Sequence, residues 1–505
     1  MLLSWSSYPP VFHLASAGLF AIVVFYAYAR YKLSYWSRRG VKSPPTHWLF
    51  GNFGNTFTLK KPPGQELQDI YESAEDNDSP FVGFYIFHSP KLLLRDLKLM
   101  KQLMVKEFET FPNRCFGGAQ QMDSVGLVNL LGIHQPRWRY LRQKLAPSVT
   151  GLKLRAMTPL IVKCSEPMLR FFDEAKGDKD SAWRSFEFKD VASRYTTDVI
   201  ASLAFGIDTD SFDRSKIAFF EAGQKILSGL KRGIIVIILF YVPGLIKFVE
   251  NFMVGPAEYF RIVFGDSIRR REQNNAKRND LVDHFIGLKN GEQRPDYIFE
   301  GDNLLSQAVA FYVAGFEATS TAIAFTLHEL ARHPEYENRL YEEIQVHTAG
   351  KELTADLINE MEFLDLVVNE TLRMYPPLPM VDRVPVRDYK IPGTNVTIEK
   401  GTPIYISING TNRDPKHYEN PNEFIPTRPR IESDDLPSSS LSFGMGPRSC
   451  IGQRLGLLMT KIAIVTILKE YELSNETKGE TTLRPVTVFT AAADGVHIKL
   501  RKRKV

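Results

Sequence analysis

Apolar residues recur at helical spacing along most of the chain, and the runs end at helix-stop signals. The longest starts at Asp302 or Asn303 and ends at His333, where Pro334 stops it; at 1.5 Å per residue this is a helix about 45 Å long. A second, over 363–375, ends at Pro376 and Pro377. Short stretches at 83–87, 396–398, 403–408 and 497–500 have strand character. No internal repeat appears between residues 46 and 498, and no linker-like stretch separates the two helices. The pattern predicts one mainly α domain with small peripheral β-sheets.

Two apolar runs depart from this pattern. Residues 11–28, VFHLASAGLFAIVVFYAY, form eighteen positions without a charge, just long enough to cross a bilayer. Arg30, Lys32, Arg38, Arg39 and Lys42 follow, and no Lys or Arg precedes. The positive-inside rule then puts the N-terminus in the lumen and the body in the cytosol. A cleaved signal peptide, with Ala27-Tyr28-Ala29 as its site, is the rival, but it wants its positive charge before the run. The expected division is an anchor over 1–30, a basic and proline hinge over 31–45 around Ser43-Pro44-Pro45, and a body over 46–505. The second run, 234–242 (IIVIILFYV), is too short to span; it reads equally as a buried segment or as a loop dipping into the membrane.

Composition changes this picture little. The 505 residues are 44% hydrophobic, enough for a large core, and carry a formal charge of +5. Lys499, Arg501, Lys502, Arg503 and Lys504 form a basic tail, so the remainder is near neutral and nucleic acid is set aside as a partner. Cys115, Cys164 and Cys450 lie far apart with no C-x-x-C pair, which speaks against a zinc knuckle or a disulfide framework.

Chemistry concentrates at residues 443–456, FGMGPRSCIGQRLG. Gly444, Gly446 and Gly452 let backbone approach closely around Cys450, and an apolar helix follows. Backbone N–H groups at a helix N-terminus favour a thiolate. One cysteine cannot hold an iron–sulfur cluster or a structural zinc; a single axial thiolate on haem iron remains, with Arg448 placed for a propionate. The plain alternative is a structural cysteine in a turn. Within the long helix, AFYVAGFEATSTA puts Gly315 and the carboxylate of Glu317 inside an apolar run, at a cost in helix stability that calls for a compensating role.

Phe443, Gly444, Gly446, Arg448, Cys450 and Gly452 match, position by position, the signature of the cytochrome P-450 family of haem-thiolate monooxygenases, which the chain resembles from the proline hinge to residue 498. Glu370 and Arg373 fit its E-x-x-R motif, and Arg428 in PTRP sits where its third partner is expected, although relatives read P-E-R-F there. Trp138 and Arg142 fit W-x-x-x-R, and Arg383 resembles the strand arginine that also reaches a propionate. The segments RVPVRDYKIPGTNVTIEKGTPIYI and NRDPKHY are most similar to animal microsomal forms, especially the insect detoxifying type.

The resemblance implies the cytochrome P-450 fold, haem b (iron protoporphyrin IX) on Cys450, and insertion of one oxygen atom of O2 into a lipophilic xenobiotic or endogenous lipid. It implies NADPH–cytochrome P-450 reductase as electron donor, with cytochrome b5 as a second candidate, at the endoplasmic reticulum membrane. Arg137, Arg139, Lys144 and Arg454 are candidate reductase contacts, and each reads as readily as a solvated charge. Segments 114–123, 219–239, 311–318, 378–382 and 486–492 correspond to pocket-lining regions. Gly315 is expected to leave a gap for dioxygen and Glu317 to join a proton route. The family threonine that should follow is Ala318; Thr319 comes one residue late and stands about 100° round a regular helix. A widened turn could present Thr319, a water or substrate hydroxyl could replace it, or the enzyme could rearrange or dehydrate oxidised lipids without O2. A haem protein that sequesters a hydrophobic ligand is a further alternative.

Overall fold

The helix expected at 302–333 forms as Gly301–Arg332 and is the axis of the body. Its apolar residues surround it rather than forming one stripe, so every residue from Thr319 to Ala331 is buried. It stops where Pro334 opens the next helix, Pro334–Thr348. It packs against Phe188–Ile200 on one side and Gln453–Glu470 on another. The motif helix is Glu362–Met374. The structure, a computed structural model, describes residues 10–73, 79–115, 125–126, 128–175, 182–227, 229–248, 254–429, 441–476 and 481–504.

The strands described are β1 (Phe81–Ile86), β2 (Ser89–Leu94), β3 (Arg184–Glu187), β4 (Met380–Arg383), β5 (Tyr389–Lys390), β6 (Thr397–Ile398), β7 (Ile404–Ser407), β8 (Tyr471–Asn475) and β9 (His497–Lys502). They form three peripheral sheets, ordered β1-β2-β7-β4, β3-β9-β8 and β5-β6. β2 and β7 run parallel with Leu93 opposite Tyr405, while β4 pairs antiparallel to β7 with Arg383 opposite Ile404. Every residue of β4 is buried, so this register carries the Arg383 guanidinium into the protein.

The apolar run at 234–242 resolves as core. It lies in a helix, Leu230–Tyr241, whose Ile235, Val236, Ile237, Leu239, Phe240 and Tyr241 are buried among Phe53, Phe84 and Tyr405. A loop dipped in lipid would leave those side chains uncovered.

The expected hinge at 31–45 is not a free linker. The N-terminal helix, Pro10–Leu33, runs directly into the body. Trp36 is fully buried; its backbone N–H donates to Tyr85 Oη at 2.9 Å and its indole Nε1 to the Phe84 carbonyl at 3.3 Å. The ring fills the place a side chain at Gly83 would take, since a Cβ there would lie 2.3 Å from Trp36 Cγ. Gly83 N–H in turn donates to the Lys42 carbonyl at 2.8 Å. Trp36→Ala should therefore cost about 3–5 kcal/mol, and Gly83→Val should be comparably damaging; denaturant unfolding measures both.

Candidate active site

The cysteine loop is shaped by two glycines in the left-handed region. Gly444 and Gly446 have φ of 69° and 72°, and a Cβ on Gly446 would come within 2.3 Å of the Met104 carbonyl oxygen. Cys450 N–H donates back to the Phe443 carbonyl at 2.9 Å, closing the loop on itself. Gly452 caps Gln453–Glu470, and a Cβ there would meet nothing within 4 Å. The Cys450 side chain is accessible, but the opening is an internal one. Burial raises its thiol pKa above the ordinary value, against the Gly452 N–H and the Arg142 and Arg114 guanidiniums, which pull it down. The helix-terminal N–H expected to favour the thiolate is thus present but outweighed by desolvation, and ionisation needs a further positive partner.

Four guanidiniums converge beside this loop. Arg448, buried and stacked 4.5 Å over Trp138, donates from Nε to the Pro112 carbonyl at 2.6 Å and from Nη2 to the Ile133 carbonyl at 2.9 Å. Arg142, on the helix Arg137–Leu145 with Trp138, donates to the Ser449 carbonyl at 3.0 Å. Arg114 donates to the Arg448 carbonyl at 3.3 Å, and Arg383 to the Asp382 carbonyl at 2.7 Å. Burial, and then the mutual repulsion of these cations, pushes Arg383 down to about 9 and Arg448 down to about 8. Arg114 Nε, Arg383 Nε and Arg448 Nη1 are buried with no hydrogen-bond partner. Asp382, buried and accepting from Cys115 N–H, is a single carboxylate among them. Such an excess of desolvated positive charge calls for an anion.

The loop is held from behind by a buried ion-pair network. Arg373 grips Glu370 in two parallel bonds, 2.8 Å to Oε2 and 2.9 Å to Oε1. Its Nη1 donates to the Asn412 and Pro421 carbonyls, both at 2.8 Å. Arg428 Nε reaches Glu370 Oε1 at 3.3 Å, so the arginine of PTRP completes the cluster. Ser442 Oγ, just ahead of the cysteine loop, donates to the Leu372 carbonyl at 2.6 Å and ties that loop to the motif helix.

On the central helix, Ala314 is exposed and Ala318 half-exposed, and the two lie one turn apart, so their shared face borders open space. Gly315 is turned elsewhere: a Cβ there would lie 2.8 Å from Ile200 Cδ1. Its absent side chain lets the helix Phe188–Ile200 approach, and the open space expected of it comes from Ala314. Thr319 is buried, and its Oγ1 would be 3.6 Å from a Cβ on Gly456 in the cysteine helix. Wide π-type turns exist at Gln102–Lys106 and Ala201–Phe205, but the central helix is regular through 301–332 and no bulge brings Thr319 round.

Glu317 meets a partner the sequence did not announce. Lys189 Nζ lies 3.1 Å from Glu317 Oε1 and also donates to Ser320 Oγ at 2.6 Å and Thr321 Oγ1 at 2.9 Å. Both Lys189 and Glu317 line a cavity of about 520 Å³ that extends between Val236, Phe316, Phe325 and the segment 486–492. Cys450, Ala314 and Ala318 are not in its lining.

These features match a known family. The family model described as cytochrome P-450 matches residues 41–498. The chain belongs to the cytochrome P-450 family. It is 39% identical over 477 residues to cytochrome P-450 6k1 of Blattella germanica, covering 90% of this chain and 89% of the relative. It is 33% identical over 489 residues to probable cytochrome P-450 6g2 of Drosophila melanogaster, covering 92% and 94%.

A cytochrome P-450 holds haem through a cysteine thiolate, and the residues here fit that group. Cys450 supplies a sulfur facing an internal opening, Gly452 leaves room beside it, and the unpartnered guanidinium nitrogens of Arg114, Arg383 and Arg448 await carboxylates such as haem propionates. Arg114 was legible only as the start of a pocket segment, of which 116–123 lie outside the described residues. Among the candidate reductase contacts, Arg139 pairs with Glu109 and Lys144 lies over the Tyr140 ring at 5.6 Å, while Arg454 is exposed.

Two outcomes follow from this geometry. Glu370→Gln leaves the buried Arg373 without its counter-charge and should cost about 3–5 kcal/mol, read as lost haem content and lowered unfolding midpoint. Arg114→Ala should leave the fold intact but weaken haem retention by about 1.5–3 kcal/mol, read by haem transfer to an acceptor protein.

Proposed function

We propose that this haem monooxygenase is a membrane-anchored enzyme that inserts one oxygen atom of O2 into a lipophilic small molecule, xenobiotic or endogenous lipid, with electrons passed from NADPH by a separate reductase. Haem supplies the binding and reductive activation of O2, and electron donation from its thiolate favours O–O cleavage. The observation that carries the reading is Glu317, a carboxylate on the central helix that borders a cavity together with Lys189. Reduction of O2 consumes protons, and rearrangement of a peroxide consumes none. A carboxylate held by Lys189 and reached by cavity water is a device for supplying them.

Glu317 takes up a proton from the cavity side and releases it toward the oxygen pocket, while Lys189 fixes its oxygens and orients Ser320 and Thr321. Ala318 offers no hydroxyl to steady a water there, so the last step passes through water or substrate. Phe311 and the apolar positions of 486–492 suit a lipophilic substrate. The N-terminal helix, exposed at Leu14, Leu19, Phe20 and Ile22, anchors the enzyme in the endoplasmic reticulum membrane with the body on the cytoplasmic side.

Product formation should require O2, NADPH and reductase together; turnover of fatty-acid hydroperoxides without them would favour the isomerase reading. Glu317→Gln should slow turnover by about 100-fold at unchanged haem content and raise the solvent isotope effect. Ala318→Thr should raise product per NADPH and lower peroxide release; unchanged coupling would remove any role for that position.

A further inference from the structure

Two of the guanidiniums with open donors, Arg114 and Arg383, are set face to face by the backbone. Val384 N–H donates to the Asn113 carbonyl at 2.8 Å, and these two residues form an antiparallel bridge just past β4. Continued along β4, that register puts Arg114 opposite Arg383 and Cys115 opposite Asp382. Like charges directly opposite on paired strands repel, and each of these guanidiniums keeps a buried Nε without an acceptor. Burial, and with it this repulsion, lowers Arg383 to about 9. The repulsion also drives 113–115 away from β4, so something must hold the segment in place.

Asp382 holds it. At the next hydrogen-bonded position of the ladder its side chain, rather than a backbone carbonyl, accepts the Cys115 N–H. The carboxylate is buried, and its charge opposes the effect of burial on both guanidiniums. Yet it does not use up their donors. Neighbours on a strand point to opposite faces, and Arg383 Nη1 reaches the Asp382 carbonyl, at 2.7 Å, instead of the carboxylate. Arg114 Nη2 goes to the Arg448 carbonyl at 3.3 Å. Among the described residues Asp382 forms no ion pair with Arg114 or Arg383. It offsets their charge from a distance and leaves both open to a propionate.

We propose that Asp382 is a positioning residue for the haem: it clamps Arg114 beside Arg383 as a pair of propionate donors, and its charge lowers the reduction potential of the bound haem. A buried negative charge disfavours an electron added nearby, because low-dielectric surroundings screen it weakly. Clamp and charge are separable, since an amide at 382 keeps an acceptor for Cys115 N–H and loses the charge.

The test uses the full-length holoenzyme as wild type, Asp382→Asn and Asp382→Ala. The haem potential is read by anaerobic titration of the absorption spectrum with redox dyes, and haem retention by transfer to a haem-free globin. Neither needs reductase, O2 or substrate, so both stand apart from the proposed reaction. Asp382→Asn should shift the potential upward and keep the wild-type rate of haem transfer. Asp382→Ala should lose haem several-fold faster or fail to load it. A potential unmoved or lowered in Asp382→Asn overturns the role of the charge. Equal haem transfer in the two variants, fast or slow, overturns the clamp.

Discussion

The grip of Arg373 on Glu370 is the constraint on which the rest of the site depends. Both groups are buried, and a buried charge is tolerated only where its partner is geometrically matched and its other hydrogen-bonding positions are filled. Here they are: the guanidinium spans two carboxylate oxygens and the carbonyls of Asn412 and Pro421, while Arg428 and Ile425 N–H complete Glu370. The network therefore joins the motif helix to the segment 412–428 ahead of the cysteine loop. Ser442 extends that register to the loop itself. A network of this kind adds little net stability; what it gives is position, and Cys450 needs position.

The second constraint is unbalanced charge. The guanidiniums beside Cys450 repel one another, and Arg114, Arg383 and Arg448 each leave a buried donor without an acceptor, a concentration of unmet donors that carries a desolvation cost. A bound haem would resolve both: its propionates would take up the free guanidinium donors, and a positive iron would favour the thiolate form of Cys450. The distal side works differently. There the central helix keeps small residues, Ala314 and Ala318, where it faces open space, while its carboxylate, Glu317, borders the cavity that 486–492 also lines.

Much of this was legible in the sequence, because local spacing carries it. The cysteine loop, E-x-x-R and W-x-x-x-R each keep their chemistry within a few residues, and the long helix announces itself by its period and by Pro334. What escaped was set by contacts distant in the chain. Lys189 meets Glu317 across 128 positions, and no pattern near either residue signals the other. Asp382 and Arg114 enter the charge cluster only once β4 and the segment ahead of residue 116 fold against the loop. The need for glycine at 315 is likewise a distant contact, the approach of Ile200, which lies 115 positions earlier in the chain. The stretch 31–45 reads as a hinge because composition cannot show that Trp36 is buried against Gly83 of β1.

The most direct test of the central claim, that Cys450 is the axial thiolate of a bound haem, is the absorption of the reduced carbon-monoxide complex. The strongly red-shifted band of a thiolate-ligated haem is expected, and it should be lost in Cys450→Ser. A wild-type spectrum lacking that band in freshly prepared, fully folded holoprotein, or one unchanged by the substitution, would contradict it.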